Sequence, residues 1–186
     1  MRFVVTIVTP PNYPHTEATR EVAESLYYAL VSLGHDAILT TRTDCPGRRP
    51  IVLCPHLLPH VHTRLAADAV LYNLEQVESV ADKFSPRLLD LFRRHAVWDY
   101  STRNIEQWAR LGVGPVRHLP VGYVPQLSRM PRDEEDIDVL FYGSVNDRRQ
   151  EILSALRLRG IQLEQLAAGS IAAVVRECVE LAHGRP

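Results

Sequence analysis

The chain has 186 residues, 46% of them hydrophobic, with 21 basic and 22 acidic side chains and a formal net charge of −1. That length suits one large domain, or one domain and a fragment, with room for a proper core. The balanced charge removes any general electrostatic reason to expect nucleic acid or an acidic membrane as partner.

FVVTIV (Phe3–Val8) is an apolar run rich in β-branched residues, as expected of a strand covered on both faces. After a proline-rich loop, residues 16–36 read as a helix with Ala18, Val22, Leu26, Leu30 and Leu33 on one side. Thr16 is its expected N-cap and Gly34 its C′ stop. AILTT (37–41) and PIVLC (50–54) are strands two and three, and AVLYNLE (Ala69–Glu75) is strand four. A helix over SPRLLDLFRRH (85–95) leads to strand five, AVWDY (Ala96–Tyr100). A further helix, TRNIEQWARLG (102–112), precedes strand six, VRHLPVGY (116–123). Such alternation predicts an α/β fold with a Rossmann-like, doubly wound parallel sheet.

Residues 124–138, VPQLSRMPRDEEDID, break the pattern with two prolines and an acidic run. A buried strand, a glycine turn and the opening of a helix follow in DIDVLFYGSVNDRRQEILSAL (136–156). IQLEQL (161–166) and SIAAVVRECVELAHG (170–184) add one short strand and one helix. The expected organisation is a Rossmann-like domain over 1–125, a connector over 126–137, and over 138–186 a remnant of a second Rossmann-like unit packing on the first domain. Ile171, Val174, Val175, Cys178, Val179 and Leu181 would form the buried face of its last helix.

The N-terminal apolar run is broken by prolines, too short to span a membrane, and lacks a signal-cleavage pattern. Cys45, Cys54 and Cys178 are odd in number and widely spread, so no disulfide framework is implied. The cytoplasm is the expected location. Lys83 is the one lysine and the other basic residues are all arginine, which reflects either a GC-rich bacterial genome or selection for bidentate anion binding.

Several strings together resemble the N-terminal, acceptor-side half of a bacterial GT-B-type glycosyltransferase. They are NYPHTEATREVAESLYYALVSLGHDA, PHLLP, VLYNLEQ, VWDYSTRNIEQW, VRHLPVGYVPQL and DIDVLFYGSVNDRRQEILSALRLRGI, spanning Pro11 to Ile161. The resemblance implies an acceptor-type domain followed by a truncated donor domain whose acidic donor-binding motif is absent. It implies transfer of a sugar from a nucleotide sugar to a small-molecule or peptide acceptor, with a partner protein or a second copy completing the donor site. No cofactor beyond that donor and no metal are expected. The alternative is a non-catalytic binding or partner protein on the same fold; a third reading is other cleft chemistry on a small metabolite.

Ligands in open α/β sheets sit beyond the carboxyl ends of the strands. After strand one come Asn12, Tyr13, Pro14, His15 and Thr16. The resemblance places this loop in the cleft, with His15 as general base and Asn12 and Tyr13 on the substrate; the other reading is a turn and cap. Strand four ends in Asn73 and Glu75, which either bind acceptor and proton or cap the next segment. Strand five ends in Asp99 and Tyr100, with Asn104 one turn on; these face the substrate, or, as the favoured reading, Asp99 or Ser101 caps the following helix. In the second unit Ser144 and Asp147 have capping-box spacing, so a helix is expected from Ser144. Arg148 and Arg149 would then oppose its dipole unless a phosphate bound there with Gly143 and Ser144, or unless they pair with Asp133–Asp136. Cys54, His56, His60 and His62 carry metal-ligand chemistry, but prolines break their spacing and no second cluster closes a site.

Overall fold

Short β-branched runs recur between polar, helix-forming stretches, and in the computed structural model those runs become parallel strands. The structure describes residues 1–80, 84–129 and 137–166; the side chains of Pro14, His15, Ser79, Val80, Tyr142 and Leu166 lie outside that description. The chain divides into two compact units, Met1–Arg129 and Met130–Pro186.

The first unit holds β1 (Arg2–Ile7), β2 (Asp36–Thr40), β3 (Arg49–Leu53), β4 (Val70–Asn73), β5 (Ala96–Asp99) and β6 (Val116–His118). They form one sheet in the order β2-β1-β3-β4-β5-β6, and every adjacent pair is parallel. Parallel neighbours require crossovers, which are made in part by α1 (Arg20–Ser32), α2 (Val77–Val80), α3 (Pro86–Arg94) and α4 (Thr102–Arg110). This is a doubly wound, Rossmann-like sheet, an architecture shared by many unrelated activities. Its strand order reverses between β1 and β3, the crevice where such sheets take ligands.

Both faces of the central strands are covered. Val4, Val5, Ile51, Val52, Leu53, Val70 and Leu71 are each at most 2% exposed, which explains why they alternate with nothing polar. Toward β5, Phe84 stacks on Trp108 at 5.5 Å between ring centroids and Phe92 lies 4.6 Å from the same indole. Trp108 is completely buried, so its indole N–H needs an internal acceptor.

Several boundaries differ from expectation. Helix α1 starts at Arg20, after a 3-10 turn over Pro14–Thr19, and Thr16 is buried within that turn without capping the helix. Pro14 suits the first position of such a turn, and Thr19 donates its hydroxyl back to the Thr16 carbonyl at 2.8 Å. The other end is as expected: Gly34 has φ +78° and donates to the Val31 carbonyl, while His35 donates to Leu30. Strand β4 stops at Asn73 because side chains claim the backbone of Glu75. Strand β6 stops at His118, two residues before Pro120, and Val121 and Tyr123 beyond it are exposed. Pro125–Leu127 forms a short 3-10 turn inside the first unit.

The described part of the second unit is a β-α-β element of β7 (Val139–Tyr142), α5 (Asp147–Leu158) and β8 (Leu163–Leu166), with β7 and β8 parallel from Val139↔Leu163 to Tyr142↔Leu166. Helix α5 is capped by Asn146, whose side chain accepts from the Arg149 amide at 3.0 Å; Ser144 lies outside the cap. Gly143, at φ +129°, turns the chain at the strand end and the helix begins later than the capping-box spacing predicts. The expected terminal helix over 170–184, its buried face and Asp133–Asp136 lie outside the described residues.

Candidate functional site

Three strand ends and two loops assemble a polar site on the carboxyl edge of the sheet. Its base is the Asp99 carboxylate, completely buried at the end of β5. Oδ2 accepts from Asn73 Nδ2 and from Trp108 Nε1, both at 2.7 Å. Oδ1 accepts from the Ser101 amide at 2.8 Å and from Asn104 Nδ2 at 3.0 Å. A buried carboxylate is tolerable only when its lone pairs are filled in this way.

Asn73 and Asn104 carry the order outward to Glu75. Both side-chain amides donate to the Glu75 carbonyl, at 2.9 and 2.7 Å, and the Glu75 amide donates to Asn73 Oδ1 at 3.3 Å. Asn104 Oδ1 accepts from the Val77 amide at 3.1 Å, tying the start of α2 to the same network. The Glu75 backbone is thereby held at both polar groups, while its side chain is 43% exposed.

Facing Glu75 is His56, whose Nε2 lies 3.7 Å from Oε1. It sits in a 3-10 turn over Pro55–His60 that starts from Cys54 in the left-handed region, at φ +57°. Asn12, across the β1/β3 crevice, is also left-handed at φ +62°. Two non-glycine residues in this conformation at a strand-order reversal fit backbone held for a site rather than for regular packing. Thr19 and Cys54 join the two loops through a hydroxyl–thiol contact of 3.5 Å.

The carboxylate of Glu75 influences three neighbours. Burial pushes the Cys54 thiol up, the Thr19 hydroxyl opposes this, and the Glu75 charge adds to it. Burial also pushes the Tyr100 phenol up, reinforced by Asp99 and Glu75. His56 is held below the ordinary imidazole value by burial, against the pull of Glu75 and with a smaller push from His60. The edge therefore presents a carboxylate among neutral thiol, phenol and imidazole groups. That set can accept a proton from a hydroxyl and hydrogen-bond its oxygen.

Of the residues singled out from the sequence, Asn73, Glu75, Asp99, Tyr100 and Asn104 come together here. Asn12 and Tyr13 lie on the loop beyond β1, and Tyr13 is 38% exposed. His15 falls within the 3-10 turn over Pro14–Thr19, with its side chain outside the description. Gly143, Ser144, Arg148 and Arg149 belong to the second unit. There Arg149 donates to the Ser144 carbonyl and lies 5.9 Å from the Phe141 ring centroid. His56, which the sequence pattern offers only as a metal ligand, is brought opposite Glu75 by the turn over Pro55–His60. Among the described residues no three His, Cys, Asp or Glu side chains gather closely enough to hold a metal ion.

Two further depressions lie elsewhere. One, of about 440 Å³, borders Met1, Arg2, Arg48 and Arg49 at the amino ends of β1 and β3. The other, of about 310 Å³, lies between Leu58–Leu65 and α3, with Arg87 and Arg94 on its rim. Neither includes Glu75. The carboxyl edge carries the convergent polar groups, and in this architecture that edge carries ligands. No helix among the described residues is long and apolar enough to cross a membrane.

The fold and the site define a Rossmann-like α/β domain with a buttressed carboxylate at its ligand edge. Compared with models of known protein families, with characterised proteins and with solved structures, the chain matches none.

Proposed function

We propose that this chain is a glycosyltransferase-like protein in which Glu75 accepts the proton of an acceptor group. The acceptor oxygen or nitrogen would bond to the anomeric carbon of a nucleotide sugar, its proton would pass to Glu75, and the bond from that carbon to the diphosphate would break. The nucleoside diphosphate leaves with the electron pair. The observation that carries the reading is Glu75 itself: an accessible carboxylate at a strand carboxyl end whose backbone is fixed by Asn73 and Asn104 over buried Asp99. Fixed geometry around a base is what proton abstraction needs.

Asn73, Asp99 and Asn104 then act by positioning Glu75, with Asn12, Tyr13 and Tyr100 beside the acceptor and His15 as the second candidate base. Gly143, Ser144, Arg148 and Arg149 would hold the leaving diphosphate, in a donor site completed by a partner chain or a second copy. A second reading, a binding protein without transfer, is favoured by one observation: the polar side chains of Asn73, Asp99 and Asn104 are already engaged within the domain.

The test is thermal stability of the full chain against nucleoside diphosphates and nucleotide sugars, followed by transfer with the best donor. A ligand at a hundredfold excess over Kd stabilises the native state by about 2.7 kcal/mol. Glu75→Gln should then lower transfer by roughly 100-fold or more, the usual contribution of a general base. Transfer unchanged in Glu75→Gln removes Glu75 from the role. No stabilisation and no transfer with any donor favours the binding protein.

A further inference from the structure

We propose that His56 is a specificity-determining residue, which with Glu75 forms a two-sided reader of a hydroxyl group and discriminates against an ammonium at the same point. This rests on the reading of Glu75 as facing an acceptor, and it names the acceptor group.

His56 Nδ1 is buried and has no hydrogen-bond partner among the described residues. A neutral imidazole carries one proton, on Nδ1 or Nε2. On Nδ1 the proton would make a buried donor with no acceptor, the costlier kind of unsatisfied group. On Nε2 it points toward the Glu75 carboxylate, 3.7 Å away. The surroundings thus select the Nε2–H tautomer, and burial, which outweighs the pull of Glu75 and is helped by His60, disfavours a second proton.

The separation then matters. At 3.7 Å the two groups are too far apart for a good direct hydrogen bond, which for N–H···O lies near 2.7–3.2 Å. An oxygen seated beside both can accept from Nε2–H and donate to Oε1. A hydroxyl has both capacities. An ammonium has only donors: it pairs with the Glu75 charge but meets the imidazole N–H donor to donor, so it leaves that N–H without an acceptor and fills only one side of the pair. A carboxylate or phosphate oxygen has only acceptors and meets the Glu75 charge. The pair therefore favours a neutral hydroxyl, and Asn73 and Asn104 keep it in register by holding Glu75.

The test is long-range proton–nitrogen NMR on the full chain labelled in histidine, at neutral pH, with His56 assigned from the spectrum of His56→Gln. The expected pattern is a neutral ring protonated on Nε2. A ring protonated on Nδ1, or doubly protonated, overturns the inference. 2-Propanol and isopropylammonium, which share a skeleton and differ only in a hydroxyl against an ammonium, are then titrated. 2-Propanol should reach its half-effect on the His56 nitrogens at roughly tenfold lower concentration, a discrimination of about 1.4 kcal/mol. Equal responses, preference for the ammonium or no response to either overturns the inference. These readouts need no sugar donor. A chain that reads hydroxyls but transfers nothing therefore defeats the transferase reading alone. Glu75-dependent transfer to amines in preference to alcohols defeats the hydroxyl inference alone.

Discussion

Replacing Asp99 with asparagine is the most direct perturbation of the buried network. The carboxylate accepts from Asn73, Trp108, Ser101 and Asn104 within 2.7–3.0 Å. An asparagine keeps one acceptor oxygen and puts two N–H groups where the other stood. If its oxygen stays with Asn73 and Trp108, its NH₂ faces the Ser101 amide and the Asn104 amide, donor to donor. The reverse orientation strands Asn73 and Trp108 instead. Two stranded buried donors cost about 1–3 kcal/mol each. Relief from burying a charge offsets part of this, leaving a net loss of about 3 kcal/mol. For a chain of this size that lowers Tm by about 10 °C. Both tryptophans, Trp98 and Trp108, lie in the first unit, so tryptophan fluorescence during urea unfolding reports that unit directly. Adding Trp108→Phe removes one of the competing donors, so the double variant should fall short of additivity by about 1 kcal/mol. A loss below about 1 kcal/mol in Asp99→Asn, with full additivity, would refute the claim that this carboxylate holds the site together.

Other perturbations test separate parts of the structure. Stability should fall as pH drops below about 6.5, because His56 is held below its ordinary value and the unfolded chain takes up the proton first. The slope is limited to roughly 1.4 kcal/mol per pH unit, and His56→Gln should flatten it in pH-dependent urea titrations; an unchanged slope contradicts the burial of this ring. Tyr72, pushed up to about 12 by burial and the Asp99 charge, should make stability decline between pH 10 and that value. In Tyr72→Phe that alkaline decline should become shallower, with Cys54 and Tyr100, also pushed up by burial, supplying what remains, and about 1 kcal/mol should be lost with the hydrogen bond to the Leu119 carbonyl. Iodoacetamide labelling followed by mass spectrometry should find Cys45 modified well before Cys54, whose buried thiol is pushed up; Cys54 reacting first runs against the geometry. Asn146→Ala should destabilise the second unit by about 1 kcal/mol through loss of the α5 cap, whereas Ser144→Ala should change little, as read by amide hydrogen exchange over 147–158.

The strands were legible where burial leaves a local mark. Val4, Val5, Ile51, Val52, Val70 and Leu71 stand in unbroken apolar runs because parallel strands are covered on both sides, so composition alone gave them away. Gly34 was legible as a helix stop because few other residues accept its backbone conformation. Local pattern failed where side chains distant in sequence claim the backbone. Nothing in AVLYNLE says that Asn104, 29 residues beyond Glu75, accounts for the early end of β4. Likewise Ser144 had the better capping-box spacing, yet Asn146 is the residue whose side chain reaches the Arg149 amide.

The sequence by itself determined that the chain alternates strand and helix, that its sheet is parallel, and that Asn73, Glu75 and Asp99 fall at or just beyond strand ends with Asn104 one turn into the next helix, since periodicity and turn chemistry are local. Only the tertiary structure decided that Asp99 is the buried hub of those residues and that His56 faces Glu75. Those facts depend on which strands lie side by side and on how far each loop travels. Hydrogen bonds between β4, β5 and α4 arise only once the sheet has closed in the order β3-β4-β5.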